Sequence, residues 1–203
     1  MRFFRAGVIR GQYGIYAFNN STGLTAENLT VESSSQDGIR VDNGSSVQDL
    51  GSSAITGSAR YGINVNGPVV TLHDNVVAGN GNTGIYLVNP GNATVLGNDV
   101  AGNSGAGIYV SNDVSGTTAV IGAAPGQGNG NTVSGNSGDG IDAYGSVLVV
   151  GNAVTGATGP REYPVPDPGR EQDGIELQGH ERLCAGARRA GARSRGAHSR
   201  DLG

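Results

Sequence analysis

Residues 75–110 read NVVAGNGNTGIYLVNPGNATVLGNDVAGNSGAGIYV, and this stretch states one unit twice. In each copy an Asn stands nine residues before a Gly-Ile pair, a Val seven before it and a second Asn four before it. These are Asn75, Val77, Asn80 and Gly84-Ile85, then Asn98, Val100, Asn103 and Gly107-Ile108. Working outward, Gly-Ile pairs begin at Gly14, Gly38, Gly62, Gly84, Gly107, Gly140 and Gly174, spaced 24, 24, 22, 23, 33 and 34 residues apart. Two positions beyond each Ile stands Ala17, Val41, Val65, Leu87, Val110, Ala143 or Leu177. A chain with 37 Gly and only 36% hydrophobic residues has the composition of a flexible low-complexity segment. Seven phased apolar pairs contradict that: the chain folds as a repeat.

A third apolar segment precedes each unit, as in Val69-Val70-Thr71-Leu72, Ala93-Thr94-Val95-Leu96 and Val147-Leu148-Val149-Val150. Three short strands per 22–24 residues, joined by Gly/Asn turns, describe one coil of a solenoid. Strand alternation sends one side chain inward and the next outward. A lone coil cannot bury its apolar side, so inward Ile and Val must stack on their equivalents in the next coil, about 4.8 Å away. Gly supplies positive φ at the corners and Asn tolerates it there. Asn at one corner of successive coils can form a hydrogen-bonded ladder. Two ladders are expected, Asn75/Asn98/Asn131 and Asn80/Asn103/Asn136, with Ser34 and Ser58 at the second ladder's place in earlier repeats.

The pattern resembles the right-handed parallel β-helix of the pectate-lyase-like superfamily, built from generic parallel β-helix repeats. The stretch Ala119–Ile141 (AVIGAAPGQGNGNTVSGNSGDGI) is especially similar to repeats of bacterial secreted and surface proteins of this type. The expected fold is all-β: a right-handed parallel β-helix of about seven coils, three short strands per coil, over residues 1–180. The resemblance implies little about activity, because this scaffold carries lyases, hydrolases, epimerases and non-catalytic proteins.

Length suits one domain. A formal charge of −4 does not point to nucleic acid, and no apolar run approaches the roughly 18–20 residues of a membrane span. Cys184 alone excludes a disulfide scaffold. All 13 basic residues are Arg. Six of them fall in residues 181–203 with only Glu181 and Asp201, a tail read as disordered or translated out of frame. With no capping helix and no signal-peptide core, the chain reads as a fragment of a longer exported or surface-attached bacterial protein, expected to be monomeric. Two repeats run about ten residues long, within Ser115–Gly130 and Ala157–Gln172, and such insertions become surface loops.

Strand parity marks one outward face. Two residues after each Gly come Tyr16, Arg40, Asn64, Tyr86, Tyr109, Asp142 and Glu176; two further on come Phe18, Asp42, Asn66, Val88, Ser111, Tyr144 and Gln178. Tyr13 and Tyr61 stand at its edge, so six of seven tyrosines share one strip. Aromatic rings carry flat apolar faces with a polar tip and suit stacking on sugar rings. In the enzymes that the fold resembles, this sheet is where polysaccharide binds. Candidate binding residues are Tyr16, Arg40, Tyr86, Tyr109, Tyr144, Asp139 and Asp173. Asp142 and Glu176 fall in one column on adjacent coils, where paired carboxylates can do acid/base work on a glycosidic bond or hold Ca²⁺. The motifs of known catalytic families are absent: no Lys, no G-H-G or R-I-K, and His73, His180 and His198 stand isolated. No other cofactor or metal site is expected. The reading is a non-catalytic extracellular or cell-surface solenoid presenting a Tyr/acidic face to carbohydrate or a partner surface. A polysaccharide lyase or glycoside hydrolase using the acidic pair is the alternative.

Overall fold

The computed structural model describes residues 2–4, 8–42, 44–123, 126–158 and 175–178. The second inserted segment beyond Thr158, Asp173 and residues 181–203 lie outside the described residues. Three parallel sheets of seven strands each wind around a common core, and no strand pairs with its neighbour in sequence. The first sheet contains Leu24–Glu27, Val47–Gly51, Val69–His73, Thr94–Leu96, Ala119–Gly122 and Val147–Val150. The second contains Thr30–Glu32, Ala54–Thr56, Val76–Ala78, Asp99–Ala101, Thr132–Ser134 and Ala153–Thr155. The third contains Ile15–Ala17, Ile39–Val41, Ile63–Asn66, Ile85–Val88, Ile108–Asn112, Ile141–Gly145 and Ile175–Gln178. The first two sheets begin one strand earlier, with Arg2–Phe4 and Val8–Ile9. This is the expected parallel β-solenoid with three strands per coil.

Register makes the core a stack of like on like. Ile85 lies between Ile63 and Ile108, Val77 between Ile55 and Val100, and Leu72 between Leu50 and Val95. Each of these side chains is fully buried. Burying one such aliphatic side chain contributes about 1.5–3 kcal/mol, so the repeated phase supplies the driving force coil by coil.

The two Asn ladders form as read. Asn75 Nδ2 donates to Asn98 Oδ1 at 3.0 Å and Asn98 Nδ2 to Asn131 Oδ1 at 2.8 Å. Asn80 donates to Asn103, and Asn103 to Asn136, both at 2.9 Å. Each rung does more than link side chains. Asn98 Oδ1 also accepts the Asn75 backbone N–H at 3.1 Å, and Asn98 Nδ2 donates to the Leu72 carbonyl at 3.1 Å. The turn's own backbone is thereby satisfied in a place that water does not reach. Asn152 extends the first ladder, accepting from Asn131 at 2.8 Å; it stands outside the expected phase because an insertion follows it. In the second ladder, Ser58 N–H still donates to Asn80 Oδ1 at 2.9 Å, but the buried Ser34 and Ser58 hydroxyls reach no partner.

The glycines divide into two kinds, which corrects the single role expected for them. Gly79, Gly102 and Gly135, each just before a ladder Asn, have φ of 64°, 62° and 60°. In the six described Gly-Ile pairs, from Gly14 to Gly140, the Gly does not have positive φ. It lacks a side chain because the next coil leaves no room: a Cβ on Gly84 would stand 2.7 Å from Asn103 Nδ2 and from Val100 Cγ1, and 2.8 Å from the Gly107 carbonyl.

Two measurements separate these causes. Gly84→Ala is expected to cost about 3 kcal/mol through overpacking. Gly79→Ala, where a Cβ meets nothing within 4 Å, costs only the left-handed backbone penalty of about 1 kcal/mol. Urea midpoints at unchanged m-value report the difference. Asn98→Ala strands the Asn75 N–H and the Leu72 carbonyl and should cost about 3 kcal/mol in the same assay, far more than Asn82→Ala in an exposed turn.

Candidate functional site

The third sheet carries Tyr16, Arg40, Tyr86, Tyr109, Asp142 and Tyr144 on its outer face. Its strands are in strict register, so outward side chains of successive coils stand one strand spacing apart: Tyr86 pairs with Asn64 and Tyr109, Tyr109 with Asp142, and Tyr16 with Arg40. That spacing suits ring stacking. Tyr86 and Tyr109 stack with centroids 4.7 Å apart and planes 10° from parallel. Tyr61 sits 4.8 Å from Tyr86, and Tyr144 sits 5.5 Å from Tyr109. A separate group joins Tyr13, Tyr16 and Phe18, with both neighbouring centroid separations 4.8 Å.

The stacking changes what the rings offer. Tyr86 and Tyr109, in one column on adjacent strands, each cover one face of the other ring, so the middle of the group does not present two fully open rings for sugar stacking. The Tyr109 hydroxyl bonds Ser111 on the same strand.

Between the two aromatic groups lies a polar cluster that strand parity indicated only in part. Arg40 Nε donates to Asp42 Oδ2 at 2.7 Å, and Arg40 Nη1 to Asp37 Oδ2 at 3.4 Å. Asn64 Nδ2 donates to the same Asp37 oxygen at 2.9 Å, and Asp37 is fully buried. The guanidinium carbon lies 5.7 Å from the Tyr13 centroid and 6.0 Å from that of Tyr16, within cation–π range. Its hydrogen bond to Asp42 holds Arg40 protonated more firmly than usual, although burial opposes this. Asp37, set one residue before a Gly-Ile pair, was legible as a neighbour of Arg40 but not as the buried anchor of the cluster.

At the other end, Asp142 lies opposite Glu176 in the strand register, as the column reading required. The strand position of Glu176 is described, its side chain is not. Asp139 is half-buried beside the same strand. Elsewhere, His73 is not isolated as expected. Its Nε2 lies 3.2 Å from Asp49 Oδ1 and its Nδ1 3.0 Å from Asp74 Oδ2, on the first sheet. Among the described residues no group of three or more His, Cys, Asp or Glu is arranged to hold a metal ion. The described part of the first long repeat also lies away from the tyrosines. It passes over the first sheet, where Leu96, Val120, Gln127, Leu148 and Val150 help line a cleft of about 240 Å³.

A family model described as a right-handed beta helix region matches residues 13–177. The chain belongs to the right-handed β-helix family. The match spans most of the sequence and agrees with the three-sheet winding. No curated protein and no solved structure matches the chain significantly. In this β-helix the fold is thus settled by family and geometry, while the chemistry of its face rests on the residues themselves.

The tyrosine file has a measurable consequence. Burial pushes the Tyr86 phenol above the usual value, and Tyr109 and Tyr61 add to this. Burial also raises Tyr109, with the charge of Asp142 next in effect. In the unfolded chain these phenols lose their protons first, near pH 10. The unfolded state then binds fewer protons than the folded one, so stability present below pH 10 falls as pH rises further. Ultraviolet titration should show phenols ionising above pH 10, and Tyr86→Phe plus Tyr109→Phe should flatten the alkaline loss of stability.

Proposed function

We propose that this β-helix is a non-catalytic module of an exported or surface-attached bacterial protein, which holds an extended carbohydrate chain or a matching partner surface along its third sheet. The observation that carries the reading is the file of outward tyrosines continued by the Arg40, Asp37 and Asn64 cluster. Across successive coils of one sheet it brings together phenol, amide, guanidinium and carboxylate groups. A linear polymer of hydroxylated rings matches such a strip in shape and in hydrogen-bonding character. Aromatic and Arg side chains are also the types that dominate binding energy when a ligand covers them.

A second reading is favoured by one specific observation, the register pairing of Asp142 with Glu176. Two carboxylates on adjacent strands can split their pKa values and serve as acid and base, in a lyase or a glycoside hydrolase, or can share a Ca²⁺ ion.

Affinity electrophoresis of the full chain, in gels cast with a panel of polysaccharides with and without Ca²⁺, separates the readings. Retardation without clearing is expected. It should weaken by about fivefold or more in Tyr86→Ala and Tyr109→Ala, and persist in Asp142→Ala. Cleared zones that vanish in Asp142→Ala would establish the enzyme instead. Free migration of the folded chain in every gel would overturn the binding module.

A further inference from the structure

The strip is not neutral, and its charge selects among ligands. Among the described residues, Asp37, Asp42, Asp113, Asp139 and Asp142 lie on or beside the third-sheet face, against Arg40 and Arg60. Both cations are already engaged. Arg40 is held by Asp37 and Asp42. Arg60 lies over the Tyr61 ring, 5.4 Å from its centroid, and donates to Gln36 Oε1 at 3.3 Å. Asp142 and Asp113 are close enough to act electrostatically on the Tyr109 phenol. Glu176 adds a further acid to the column of Asp142 by register. Among the described residues, an anionic polymer laid along this strip meets Asp42 toward one end and Asp113 toward the other, and finds no cation free of a carboxylate, amide or ring partner in between.

We infer that the face selects uncharged glycans and rejects polyuronates and other polyanionic chains. The inference rests on the binding reading above and deepens it by naming the class of ligand. Like charges brought together across an interface cost affinity, whereas carboxylates accept hydrogen bonds from sugar hydroxyls and phenols both accept from them and donate to them. Asn64, Tyr86 and Tyr109, on three successive strands, supply the uncharged middle of the strip. The Arg40 cluster supplies both donors and acceptors at fixed positions.

The test uses the full chain in gels cast with polymers that share a backbone and differ in charge. One pair is hydroxyethylcellulose and carboxymethylcellulose; the other is methyl-esterified and saponified polygalacturonan. Each is run at low salt with EDTA, and again with Ca²⁺. The expected result is retardation by the uncharged member of a pair, with the charged member at least about tenfold weaker. The gap should close as salt is raised, because screening shortens the reach of the acids. Asp42→Asn, which frees Arg40 of one carboxylate, and Asp113→Asn, at the end of a strand, should each narrow the gap. Equal or stronger retardation by the charged member, in EDTA or with Ca²⁺, would overturn the charge selection and leave the binding reading standing. An unchanged gap in both variants would overturn it in the same way. No retardation by either member of any pair would take down the binding reading itself.

Discussion

Everything in this molecule depends on one constraint: each coil must lie on the next in register, one strand spacing away, with identical corners aligned. The buried Asn rungs enforce it. An Asn side chain at a corner accepts from one coil's backbone and donates to its carbonyl, so a coil that slipped by one residue would strand several buried polar groups at once. Aliphatic stacking drives the coils together but tolerates small displacements. The amide rungs do not, and they convert a general attraction into a single register. The same alignment brings the Gly84 backbone against Val100, Asn103 and the Gly107 carbonyl, which leaves only Gly able to stand there.

Because alignment is so strict, most of the fold is legible in a linear reading. Ile85, Val77 and Asn80 announce their places by distance from Gly84, and their burial follows from strand alternation. What the linear reading misses are features that depend on what lies across the coil rather than along it. The reason for Gly in each Gly-Ile pair belongs to the next coil and has no signature in its own. Asn152 closes the first ladder, but an insertion separates it from the Gly that would have given its phase. His73 has Asp74 beside it in sequence, but its second carboxylate is visible only in space, since Asp49 reaches it from the preceding coil and the missing side chain of Gly51 leaves space for its ring. Asp37 looks like a surface acid until Asn64 and the Tyr61 N–H are seen to cover it.

The face illustrates how the scaffold limits its own chemistry. Aligning tyrosines on successive strands gains ring stacking of about 0.5–1.5 kcal/mol per pair, but that gain occupies the ring faces a ligand would otherwise use. Tyr86 and Tyr109 stabilise each other by covering one face of each ring. Tyr16 and Phe18, at the other end of the strip, remain well exposed, at 42% and 46%. Stabilisation and recognition are thus partly exclusive along one file of like residues.

Charge obeys the same rule with the opposite sign. Uncharged side chains gain from being repeated in a column, while repeated carboxylates would stand one strand apart and repel. A column on this sheet can therefore hold an acid only where its neighbours differ. The molecule follows that pattern: Arg40 stands between Tyr16 and Asn64, and Asp142 follows Tyr109. Among the described strands, the register sets two acidic residues opposite one another only at Asp142 and Glu176. On a repeat protein, departures from the repeat are where specific chemistry resides, because only there do successive coils set unlike groups side by side. The Arg40 cluster is such a departure: it sets one cation between two carboxylates and beside two aromatic rings. The Asp142–Glu176 register position is another, reached only after the longest gap between successive Gly-Ile pairs.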